Sequence, residues 1–363
     1  MAGWGSGRVS GSRDGARSQA PWEAASTLPA SQRAGQAQAT VVTLSGRAPA
    51  KINLVLEVVG SRPDGYHELR SVLAPLALAD ELSVRVGVLS GASPRDRLAV
   101  RGAGALATGD NLVVRAAALL RGETGRPLAP LAFDLRKRIP VAAGLGGGSS
   151  DALAALDLAA AAWGLQLGAQ RRLQLAAALG SDVPFFALGT WALAGGRGER
   201  LWQLPPPAGG PLGVLLVVPA ARLATREVFA ALDAGYREEP PHDPHASPVP
   251  LGARPGAAAD LAARLRRGAT AAEVADTEPA NDLLPAAAAI LPGLEPLRDE
   301  LGALLGRPVH LSGSGPTLAV LYPSPGGARR AAAVVRDAAA RRLLRPPGGA
   351  LKVIATTTIG GEA

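Results

Sequence analysis

Between Pro140 and Ser150 the chain reads Pro140, Val141, Ala142, Ala143, Gly144, Leu145, Gly146, Gly147, Gly148, Ser149, Ser150. Four glycines within five positions let the backbone adopt positive φ and approach a ligand closely. Ser149, Ser150 and Asp151 suit the start of a helix, and Ala-Leu-Ala-Ala-Leu-Asp-Leu-Ala-Ala-Ala-Ala-Trp, a strong helix former, follows them. A flexible loop opening onto a helix N-terminus offers free N–H donors and a positive dipole end, which together suit a phosphate. A plain Gly-rich turn capped by serine is the competing reading. The stretch fits neither familiar phosphate template. It lacks Gly-x4-Gly-Lys-Ser/Thr, and the third glycine of a dinucleotide fingerprint is replaced by Ser149.

At 363 residues the chain can form two domains with separate cores. No apolar run reaches the ~18 residues of a membrane span. With no cysteine, disulfides and thiolate chemistry are excluded. The net charge of +8 invites a nucleic-acid reading, but no basic cluster alternates with aromatics. Only three of the 38 basic residues are lysine, Lys51, Lys137 and Lys352. In a chain that otherwise writes arginine, a retained lysine hints that a compact ammonium is needed.

Residues 1–40 read as a disordered tail. A first domain is expected over 41–207 and a second over 208–356, with a Pro-rich surface loop at 237–256 and a tail at 357–363. Separate strands are expected at 41–44 and 52–59, a strand pair over 76–86, and a strand over 131–135 leading into the glycine loop. Asp110 is the expected cap of a helix through Leu120. A helix over 170–179 ends at Gly180, ahead of Ser181-Asp182-Val183-Pro184-Phe185-Phe186.

A phosphate loop implies a phosphoryl donor, and an acceptor needs activation. Asp182, held by Pro184 and flanked by apolar residues, could orient or deprotonate a hydroxyl; it could equally cap the next turn. Lys51, amid apolar neighbours, is costly without a partner and could pair with Asp182, or face water on an edge strand. Asn53 shares its strand face. Tyr66 and His67 follow the turn Arg62-Pro63-Asp64-Gly65 and could stack on and bond an aromatic ligand, or close a small core. His242 and His245 have no third ligand nearby for a metal.

The glycine loop, Lys51 with Asn53, and Ser312-Gly313-Ser314-Gly315-Pro316 resemble the three motifs of the GHMP small-molecule kinases. The resemblance runs from about Arg47 to about Leu321. It implies an α+β, two-domain GHMP kinase fold, with a ribosomal-protein-S5-like first domain, a ferredoxin-like second domain and the active site between them. It also implies a cytoplasmic enzyme of non-mevalonate isoprenoid precursor synthesis that uses ATP and Mg²⁺. Its substrate would be a cytidine diphosphate sugar alcohol, phosphorylated on the 2-hydroxyl, with no nucleic acid or membrane as partner. Asp182 would be the base with Lys51 beside it. Tyr66 and Phe229 would sandwich the cytosine, His67 would bond its edge, and Asn53 would help hold the substrate. Asn111 and Lys137 match positions near the adenine. The stretch after Phe229 is longer and richer in proline than the family pattern. Two rivals remain at this level: a GHMP kinase acting on a mevalonate-like or homoserine-like alcohol, and a non-catalytic RNA binder.

Overall fold

The computed structural model describes residues 42–86, 95–102, 110–238 and 256–360. The expected tail at 1–40 and most of the expected loop at 237–256 lie outside them, as do His242 and His245. In chain order the first half contributes β1 (Val42–Ser61), β2 (His67–Val86), β3 (Arg97–Arg101), α1 (Leu112–Thr124) and β4 (Leu131–Arg136). It continues with α2 (Gly147–Ala162), α3 (Ala169–Leu179), α4 (Val183–Leu188), β5 (Ala192–Gly195) and β6 (Arg200–Gln203). The second half contributes β7 (Gly213–Pro219), α5 (Thr225–Glu238), α6 (Ala257–Arg266), α7 (Ala271–Ala275) and β8 (Ala280–Asn281). Then come α8 (Leu284–Ile290), α9 (Leu294–Leu305), β9 (His310–Leu311), β10 (Leu318–Tyr322), α10 (Pro325–Ala340) and β11 (Leu351–Thr357).

The opening hairpin corrects the expectation of several short strands. β1 and β2 are single strands of 20 residues each. Their register shifts at Pro49/Ala50, Asn53/Val55 and Val58/Gly60. Such bulges break the two-residue alternation that marks a strand in sequence. In addition, every residue from Ala50 to Val58 is buried. A strand covered on both faces reads as a continuous apolar run rather than an alternating one.

Among the described residues the first sheet runs β3-β4-β2-β1-β8, with β5 and β6 extending from β2. Helices α1 to α4 cover one face, through a core that includes Phe133, Leu135, Leu156, Phe185 and Phe186. The second sheet has the order β11-β7-β10-β9 with antiparallel pairing throughout. Numbered within the unit β7-α5-β9-β10-α10-β11, that order is 4-1-3-2, the β-α-β-β-α-β winding of a ferredoxin-like domain. One core packs β1 and β2 against β7, β10, α6 and α7. Another joins the far side of the second sheet to α5, α8, α9 and α10. The two sheets are laced together: β8, from the second half, pairs in parallel with β1. The chain also stays in the fold beyond 356, where Thr358 is buried and its hydroxyl accepts from the Leu212 amide at 3.0 Å.

Candidate active site

α2 begins at Gly147, with Gly146 as its cap residue at φ 68°, so Ser149 and Ser150 stand inside the first turn rather than ahead of it. The amides of Gly147, Gly148 and Ser149 therefore have no carbonyl one turn back to bond, and the positive end of the helix dipole coincides with them. Ser150 is the first to close a helical bond, its amide donating to the Gly146 carbonyl at 3.0 Å. Two glycines of the loop are demanded by contact. A Cβ on Gly144 (φ 73°) would overlap the Ser312 carbonyl, and one on Gly146 would lie 2.9 Å from both Lys51 Cγ and Phe186 Cζ. Ala142 too has positive φ, at 52°. Ala143 and Leu145 are buried anchors; the Leu145 carbonyl accepts from the Lys51 amide at 2.9 Å and the Ala143 carbonyl from the Thr317 hydroxyl at 2.6 Å. Pro140 and Val141 are half-buried at the approach to the loop.

The third motif closes over this loop. Ser312 Oγ donates to the Gly144 carbonyl at 3.0 Å, and a Cβ on Gly313 would sit 3.2 Å from Lys51 Nζ. Asn281, which sequence reasoning missed, holds the motif by donating from Nδ2 to the Leu311 and Gly313 carbonyls at 2.9 Å each.

Lys51, Asn53 and Asp182 come together beside the loop. Lys51 Nζ lies 2.5 Å from Asn53 Oδ1 and 3.8 Å from Asp182 Oδ2. Asn53 in turn donates to Ser71 Oγ at 2.8 Å, and that hydroxyl donates to the Val55 carbonyl at 2.6 Å. Burial lowers the pKa of Lys51, with the charge of Asp182 acting in the opposite direction. Asp182 occupies the cap position of α4 without using its side chain there. Its carboxylate is 44% exposed, so it is both tied to the lysine and open to the cleft.

A second cluster adjoins this one. His67 stacks on Phe229, with ring centroids 4.8 Å apart and planes at 24°, and its Nε2 lies 2.8 Å from Asp233 Oδ1. Tyr66 is exposed under the Arg197 guanidinium, 4.7 Å from its ring centroid. The turn before it is braced by Arg62, which binds both Asp64 and Glu68. The two clusters meet through neighbouring residues: a Cβ on Gly198, next to Arg197, would lie 3.7 Å from Asp182 Oδ1. On the other side Thr225, at the start of α5, shares a 2.9 Å hydrogen bond with Ser314 of the third motif.

Two residues expected near the adenine have partners within the protein. Asn111, not Asp110, caps α1, its Oδ1 accepting from the Val113 amide at 3.0 Å. Lys137 is buried beneath the loop, paired with Asp80 and with Asp151, the latter at 2.7 Å. Burial opposes its charge, but the two carboxylates outweigh that and raise its pKa. Asp80, which the sequence did not single out, also accepts from the amides of Arg138 and Ile139. It thereby fixes the segment that enters the loop. Burial pushes Asp151 up to about 7.

A helix start ringed by glycines, a lysine–carboxylate pair facing it, and two laced α/β sheets define a small-molecule phosphotransferase of the GHMP type. The GHMP kinases N terminal domain family matches residues 111–190. A protein of Pelotomaculum thermopropionicum described as 4-diphosphocytidyl-2-C-methyl-D-erythritol kinase is 39% identical over 277 residues, covering 76% of this chain and 88% of the relative. One of the same description from Gluconacetobacter diazotrophicus is 40% identical over 294 residues, covering 79% and 89%. A crystal structure of 4-(cytidine 5'-diphospho)-2C-methyl-D-erythritol kinase superposes with a TM-score of 0.62 at 35% identity, covering 88% of this chain and 100% of that one. The L. major mevalonate kinase structure, at 14% identity and TM-score 0.63, shares the fold. The chain belongs to the 4-diphosphocytidyl-2-C-methyl-D-erythritol kinase family of the GHMP kinases.

Proposed function

We propose that the protein transfers the γ-phosphoryl group of ATP to the 2-hydroxyl of 4-diphosphocytidyl-2-C-methyl-D-erythritol, in the cytoplasm, as a step of the methylerythritol phosphate route to isoprenoid precursors. The observation that carries the chemistry is the Lys51–Asp182 pair beside the open start of α2. The family relation carries the substrate. The free amides of Gly147, Gly148 and Ser149 bind the β- and γ-phosphates. Asp182 accepts the proton of the attacking hydroxyl, and Lys51 balances the charge that gathers between the two as the phosphoryl group moves. Asn53 fixes the ammonium and faces the acceptor. Tyr66, His67 and Phe229 receive the cytosine.

Mg²⁺ is the metal such a reaction implies, and the donor set fits it. Ser150 Oγ and Asp151 Oδ1, on consecutive residues near the start of α2, are buried without a hydrogen-bond partner. Hard oxygen donors left unsatisfied beside a triphosphate site suit this ion, which is commonly held by one or two protein ligands plus the phosphates. No cluster of three or more His, Cys, Asp or Glu occurs among the described residues. Ser150 and Asp151 would hold the ion, which neutralises phosphate charge. Among the described residues no helix is long and apolar enough to cross a membrane.

A coupled ADP-release assay tests the reading, with the diphosphocytidyl sugar alcohol, mevalonate and homoserine offered at equal concentration. Turnover confined to the first is expected. Preference for either simpler alcohol would remove the base-binding roles of Tyr66, His67 and Phe229.

A further inference from the structure

We propose that Asp233 is a specificity residue: by holding His67 Nε2 it fixes the imidazole as a hydrogen-bond acceptor at Nδ1, so that the site admits a base edge carrying an amino group and rejects one carrying a carbonyl. The inference rests on the substrate reading above and names the side chain that enforces it.

Phe229 and Asp233 are four residues apart on α5 and so project from one helix face. Together they grip one ring. Phe229 stacks on His67 at 4.8 Å, a separation typical of offset stacking, and Asp233 Oδ1 lies 2.8 Å from Nε2. A carboxylate can only accept, so the hydrogen must reside on Nε2 and Nδ1 of the neutral ring keeps its lone pair. The His67 side chain is 8% exposed, which leaves it little freedom to turn over. No hydrogen bond to Nδ1 occurs among the described residues.

The lone pair of Nδ1 lies in the plane of the imidazole, and that plane is within 24° of the Phe229 ring. A base bonded edge-on to Nδ1 and coplanar with the imidazole therefore lies nearly parallel to Phe229. One helix thus sets both the plane of the base and the polarity of the edge it must show. Cytosine offers its 4-amino group as a donor. Uracil in the same place would turn a carbonyl oxygen toward the Nδ1 lone pair. A site built to bond a particular group rejects the analogue that leaves its own polar atom unpaired.

The test compares kcat/KM for the cytidine and uridine forms of the sugar-alcohol substrate in the wild type, Asp233→Ala and Asp233→Asn. It is accompanied by ¹⁵N NMR of the imidazole without substrate. Asp233 is 43% exposed, so both variants should fold. In Asp233→Ala the cytidine-to-uridine ratio should fall at least about tenfold, the range of one discriminating hydrogen bond, chiefly through KM for the cytidine form. Its kcat and KM for ATP should stay within about twofold. Asp233→Asn, which retains an accepting oxygen, should keep a larger ratio than Ala. The NMR signals should show the Nε2–H tautomer in the wild type and its loss in Ala. An unchanged ratio or an unchanged tautomer in Asp233→Ala would overturn the proposal. A wild type that phosphorylates neither nucleotide alcohol would overturn the substrate reading instead, while the imidazole signals would still judge the Asp233 contact on its own.

Discussion

Lys51 and Lys137 flank the same glycine loop, and each side chain is nearly shut off from water, at 7% and 6% exposure. Each fills space that a side chain on the neighbouring glycine would claim. A Cβ on Gly146 would press on Lys51, and one on Gly147 would lie 3.3 Å from Lys137 Nζ. Their charges are compensated in opposite ways. Lys137 meets two buried carboxylates, Asp80 and Asp151, and its pKa rises despite the burial. Lys51 meets one half-exposed carboxylate at 3.8 Å, and burial prevails and lowers its pKa. In the first arrangement the ammonium is fully compensated from within the protein, and the cluster fixes the floor of the loop. The second is under-compensated and can gain from negative charge arriving in the cleft, as a phosphoryl group in transfer would bring.

The largest effect that separates them is on stability. Lys137→Met leaves Asp80 and Asp151 buried without a cation, and breaking a buried pair in this way costs about 3–5 kcal/mol. Urea unfolding should show that loss. A variant as stable as the wild type would mean that the buried triad contributes nothing to the loop floor.

Asp182→Asn sharpens the other half of the contrast. It preserves shape but removes the basic oxygen, and kcat should fall at least ~10²-fold, the low end for a general base. ATP affinity, measured by calorimetry, should stay close to that of the wild type. Normal turnover in this variant would remove Asp182 from the mechanism.

How much of this was legible in the sequence follows the range of the interactions. The glycine loop is local, and its glycine density announced it. The scarcity of lysine pointed at Lys51 and Lys137 without telling them apart, since what distinguishes them is the acids they meet, and those come from other elements. Asp80 lies within a strand, where it reads as an ordinary polar residue, and Asp151 lies within a helix whose start it was expected to mark. The partner of His67 is 166 residues away, and a lone Asp on an amphipathic helix looks like part of a solvated face. Local sequence favoured Asp110 as the cap of α1, one residue before the Asn111 that fills that position. The two long strands were fragmented in the reading because bulges interrupt their alternation.

Lys51→Met should cost roughly 10²-fold in kcat, comparable to the loss of one charge-stabilising donor, yet leave stability equal to the wild type or higher. The substitution removes a desolvated ammonium, and the Asp182 left behind is open to water. Loss of stability together with activity would place Lys51 in the same class as Lys137 and dissolve the contrast.

The smallest effect, and the most specific, is in alkaline solution. The folded-state pKa of Lys51 lies below 10.5, so between that value and 10.5 the native state binds fewer protons than the unfolded chain. Its burial cost is therefore relieved as pH rises through this window, and Lys51 adds an upward slope to stability. Lys137 has a folded-state pKa above 10.5; its stabilisation is complete below 10.5 and is lost only as pH climbs through the higher value. Unfolding midpoints of the wild type and Lys51→Met should accordingly converge as pH approaches 10.5, because the wild type sheds the charge that the variant never carried. A gap between the two that stays constant with pH would show that Lys51 is as well compensated as its neighbour, and the distinction between a lysine held for structure and one held for chemistry would lose its physical basis.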